Sequence, residues 1–125
     1  MRVIGHRWID DSIIFKAVES VEDIEKTVAN DTLLFNDLSK DIEIIKYADT
    51  NSLPFAIKIR NIKDVIFAYN LNTKYIIAPK EIAKDTQEIA SHYLFDALIF
   101  VEIDSEDEIE YFARLGLDGV IFSKS

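Results

Sequence analysis

From Ser12 onward the chain alternates short apolar runs with longer stretches in which apolar residues recur every three or four positions. The first pattern predicts β-strands and the second amphipathic helices. Residues 13–18, 32–35, 55–59, 75–78, 97–103 and 119–122 read as six strands. Ser20 is placed to cap a helix whose apolar positions are Val21, Ile24 and Val28, and a helix from about Lys40 carries Ile42, Ile45 and Ala48 inward. Asn61 can cap a third, with Ile62, Val65, Ile66 and Tyr69 on one face. Pro79 suits the first position of the longest helix, which the pattern extends to about Leu94 along Ile82, Ala83, Ile89, Ala90, Tyr93 and Leu94. In the last unit, Ser105 and Glu108 have the spacing of a reciprocal cap, Ile109, Phe112 and Ala113 form an apolar face, and Gly116 suits the left-handed residue that ends a helix.

A strand thus recurs every 19 to 23 residues or so, which predicts repeated βα units with parallel strands joined by right-handed crossovers. The expected fold is a single α/β domain over residues 1–125 with about six mainly parallel strands. Its sheet is either open and doubly wound, of flavodoxin type, which the length favours, or a half-(βα)8-barrel-like array. In the strand at 55–59, Ile57 and Ile59 alternate with Lys58 and Arg60, a pattern suited to a less covered edge position. Residues 1–11 follow neither period and read as an N-terminal arm or an added edge strand.

Charge and composition narrow the function classes. With 23 acids against 14 bases the formal charge is -9, and the bases are not clustered, so neither nucleic acid nor an anionic membrane surface is an expected partner. The absence of cysteine excludes disulfides, thiolate catalysis and cysteine-ligated metals. There is neither a signal-peptide pattern nor an apolar run near the ~20 residues of a membrane span, so a cytoplasmic location is expected.

In a parallel sheet the site lies beyond the carboxyl ends of the strands. That rule selects Glu19, Asn36, Asp37, Arg60, Asn61, Lys80, Asp104, Ser123 and Lys124. Of these, Asp37, Arg60, Lys80, Asp104 and Lys124 could together hold a phosphate or carboxylate. Helix caps and solvated loop charges fill the same places in any α/β domain. With glycine only at 5, 116 and 119, no Gly-rich phosphate loop is present, and no cofactor or metal is expected.

Two resemblances add to this reading. Glu102 to Phe122, with its acidic capped helix and Gly116-Leu-Asp-Gly119, resembles the last βαβ unit of phosphate-binding (βα)8 barrels, including glycerophosphodiester phosphodiesterases. Gly5-His6-Arg7 resembles that family's opening histidine–arginine–glycine, with Trp8 where the family has glycine, and no catalytic role is carried over to His6. The acid Asp37 at a strand end, with Lys124 after the last strand, resembles a receiver domain of two-component signalling. That likeness implies phosphorylation at Asp37.

Because chemical motifs are absent, the leading expectation is a non-catalytic protein-interaction module, with a homodimer or another protein as partner and Ile4, Trp8 and Ile9 as interface residues. The alternatives are a small phosphate- or anion-binding protein or enzyme with its site at the strand ends, and a degenerate receiver-like signalling domain.

Overall fold

A computed structural model describes residues 1–123. These form β1 (Arg2–Ile4), β2 (Ile14–Ala17), α1 (Val21–Glu25), β3 (Asp31–Phe35), α2 (Ile42–Thr50), β4 (Phe55–Lys58), α3 (Ile62–Asn70), β5 (Tyr75–Ala78), α4 (Lys80–His92), β6 (Leu98–Ile103), α5 (Ile109–Arg114) and β7 (Gly119–Phe122). Local signals set the helix starts. The Ser20 hydroxyl accepts from the backbone N–H of Asp23, the Asn61 side chain accepts from that of Asp64, and Ser105 and Glu108 cap a short 3-10 turn reciprocally before α5. Gly116 takes the left-handed conformation at φ 81°.

All seven strands pair in parallel, in the order β1-β7-β6-β5-β4-β3-β2. From β2 to β7 each strand lies beside its predecessor, so crossovers of one hand place every helix on one face. The packing agrees. The larger core joins Ile24, Ile45, Val65, Ala83 and Phe112, one from each helix, to Leu33, Phe35, Ile57, Ile76, Ile99 and Val101 of the strands. The other face holds a second cluster with no helical member, built on Ile4, Ala56, Tyr75, Ile77 and Phe100, with Ile13, Phe15, Leu34, Leu98 and Ile121 around it.

That inner face is covered by its own curvature. Phe15 on β2 has its ring centroid 5.6 Å from that of Tyr75 on β5 and 6.4 Å from that of Phe100 on β6. In a flat sheet, strands four places apart would stand ~19 Å from each other, at ~4.8 Å per step. The sheet is therefore curled into a half barrel whose two edges are β1 and β2. Of the two architectures open to the sequence this is the barrel-like one. A doubly wound sheet needs the strand order to reverse at a switch point, and from β2 to β7 it never does.

Of the two readings of the N-terminal residues, the edge strand holds: they supply a seventh strand, β1, beside β7. Several other local expectations are corrected. β4 is interior, between β3 and β5; its one base, Lys58, faces the concave side, and Arg60 lies beyond the end of the strand. α1 ends at Glu25, so Val28 is exposed instead of packed. α4 ends at His92; Tyr93 and Leu94 are exposed, and Leu94 has φ 55°. Pro79 is the residue before the helix rather than its first. Ala113 is exposed, leaving Phe112 as the buried residue of α5.

Candidate functional site

The carboxyl ends of the strands form a charged rim over an apolar interior. Buried Ile57 and Ile59 face the helices, so Lys58 between them faces inward, and Glu102 does likewise between Val101 and Ile103. Their side chains meet at 3.1 Å across β5. The sequence rule did not select this pair. The single acid inside the apolar run of β6, set against the alternating bases of β4, was the signal for it.

The predicted residues form two separate groups. Asp37, after β3, pairs with Arg60, after β4, at 3.5 Å, and Asp37 also accepts the backbone N–H of Lys40 in a turn. Lys80 opens α4 and reaches Asp104 at 2.9 Å and Glu108 at 2.7 Å, while the Ser123 hydroxyl donates to Asp104. Glu108 also accepts the backbone N–H groups of Asp104 and Ser105, so one carboxylate serves both the turn and the lysine. Among the described residues no hydrogen bond or ion pair joins the two groups. Lys124, the fifth candidate, lies outside the described residues.

These contacts fix the charge states. Hydrogen bonds to Glu108 and then Asp104 hold the Lys80 ammonium well above its ordinary range. The Ser123 hydroxyl and Lys80 hold Asp104 below the usual carboxylate range. Lys80 and the Asp104 N–H hold Glu108 below its own. Among the described residues Lys58, Arg60 and Lys80 each lie within 3.5 Å of a rim carboxylate, so an incoming anion competes with a carboxylate for each of them.

The interface candidates divide as well. Ile4 is buried in the inner cluster, whereas Trp8 is 74% exposed and Ile9 is 48% exposed. His6 accepts the Trp8 backbone N–H on Nδ1 and places Nε2 3.2 Å from Glu106. Both ring nitrogens are thus occupied in fixing the turn after β1.

The open feature is β2. Val18 donates its N–H to Leu34 on β3, and residues that bond to one neighbour alternate along a parallel strand. Lys16 therefore faces β3, while Phe15 and Ala17 turn their N–H and C=O groups to the free edge. The two flanking donors on that side are satisfied locally, Ile13 N–H by Asp11 and Glu19 N–H by Asp23. The link between β1 and β2 contains no helix, so the outer face of β2 is also bare, with Ile14 48% exposed next to the more exposed Val28 in a groove of about 590 Å³.

Among the described residues no three histidine, aspartate or glutamate side chains converge to hold a metal ion, and no helix is long and apolar enough to cross a membrane. No family model matches the chain, and no curated protein does.

Proposed function

We propose that this protein is a non-catalytic interaction module, acting in the cytoplasm, that docks another polypeptide along the open edge of β2. The observation that carries the reading is the pair of outward-turned peptide groups at Phe15 and Ala17 beside exposed Ile14 and Val28. An unpaired edge of this kind is a template for strand addition. Trp8 and Ile9, on the link that joins the two sheet edges, offer further apolar contact area. The anion-binding alternative gains less, because Arg60 and Lys80 are held by acids of the same rim. The receiver-like alternative gains less again, since the Asp37 carboxylate is engaged by Arg60 and the strand order is not the flavodoxin-like one.

The test uses Ala17→Pro, which removes one outward N–H without touching the bonds to β3; proline is tolerated at such edge positions. Tagged wild-type and variant proteins of equal circular dichroism are cross-linked in cell extract. A partner retained by wild type and lost by the variant supports the reading, and equal recovery removes it. Light scattering behind size exclusion shows whether the partner is a second copy: a dimer that the substitution dissociates identifies it.

A further inference from the structure

The charges around the free edge restrict what can lie on it. Between residues 10 and 31 the chain carries seven acids and two bases. Asp10 and Asp11 precede β2, and Glu19, Glu22 and Asp23 follow it, so the edge is a strand, apolar but for Lys16, bracketed by carboxylates. Arg2 engages Asp11 at 2.6 Å and Asp23 caps the turn at Glu19, which leaves Asp10, Glu19 and Glu22 facing solvent.

This pattern argues against pairing of two β2 edges. Two β2 edges related by a two-fold axis run antiparallel, so the Asp10–Asp11 end of one copy would lie beside the Glu19–Glu22 end of the other. Like charges meet at both ends, and one register also sets Lys16 against its own copy. An extended segment of a different protein, carrying bases at its ends, meets none of these penalties.

We infer that the edge binds an extended peptide segment of another protein, with β-branched or other apolar residues at its centre and lysine or arginine at both ends. This rests on the docking reading above and names the partner's chemistry. The segment's backbone bonds to the N–H and C=O groups of Phe15 and Ala17, which no described residue occupies. One central side chain seats on Ile14 and Val28 in the groove beside α1. The terminal bases approach Asp10 at one end and Glu19 and Glu22 at the other.

A phage-displayed library of random linear heptapeptides, panned on the immobilised full chain, tests this. The expected enrichment is a β-branched centre between terminal lysines or arginines, lost on Ala17→Pro and on Ile14→Asp. A synthetic peptide of the enriched sequence should bind at least tenfold more weakly when its terminal bases become glutamates. No enrichment, an acidic-ended enrichment, or binding unchanged by Ala17→Pro overturns the inference. If cross-linked partners depend on the edge but the enriched peptides are not basic-ended, docking stands and only the partner's chemistry falls. If nothing depends on Ala17, both fall.

Discussion

A Cβ placed on Gly119 would lie 2.6 Å from the ring of Phe100, nearer than any real contact allows, and 3.0 Å from the carbonyl oxygen of Arg2. The glycine lets the Phe100 ring lie against β7 on the concave face and lets β1 close on the same residue, with which Arg2 is in register. Gly119→Ala must therefore move a fully buried ring or loosen β1, at a cost of about 1–3 kcal/mol. At Gly116 a Cβ would meet nothing within 4 Å, and only its positive φ penalises a side chain, by about 1–2 kcal/mol. Urea denaturation should rank Gly119→Ala below Gly116→Ala, and the reverse ranking would refute the close approach.

Curling makes Phe15 and Phe100 energetic neighbours. A double-mutant cycle with Phe15→Leu and Phe100→Leu should return a coupling of about 0.5–1.5 kcal/mol, the range for aromatic pairs in contact. Additive losses would mean that the two strands stand apart as they would in a flat sheet.

Lys80 and its two acids give the rim a pH signature. Asp104 and Glu108 ionise below their ordinary values of 3.8 and 4.5 in the folded chain. The stability they add is thus complete above about 4.5 and is lost as pH falls through the folded-state values. The raised Lys80 acts in the opposite sense, contributing fully below 10.5 and losing its contribution only as pH rises beyond the ordinary lysine range. Lys80→Met should therefore lower Tm at neutral pH, with a deficit that shrinks toward zero as pH falls through the range in which both acids protonate. A deficit constant from neutral to strongly acid pH would show that the pairs contribute no linkage.

Signals carried within a few residues were legible in the sequence. Ser20, Asn61 and Ser105 start their helices through bonds three or fewer positions away, and the strands buried on both faces show as unbroken apolar runs. β1 was legible only as one of two readings, an arm or an added edge strand, because Arg2–Ile4 gains its pairing only from β7 at the far end of the chain. The alternation in β4 was visible, but on a curled sheet an inward charge at the mouth imitates an edge strand. The missing helix between β1 and β2 was also visible. Its consequence, a bare face on β2, required the strand order. The rim residues were selected by position alone, and their division into two acid-paired groups depends on side-chain reach, which sequence spacing does not report.

That division predicts how the rim responds to anions. Arg60 is 70% exposed and has Asp37 as its counter-ion, whereas Lys80 has two acids, so removing one of them leaves the other in place. Asp37→Asn is therefore the change that frees a base. Millimolar inorganic phosphate should leave the wild-type Tm where an equal ionic strength of chloride leaves it. It should raise the Tm of Asp37→Asn and lose that effect in Asp37→Asn combined with Arg60→Ala. A rise already present in the wild type and abolished by Arg60→Ala alone would reverse the ranking of the two readings, because the phosphate would then have outcompeted a carboxylate held 3.5 Å from the guanidinium.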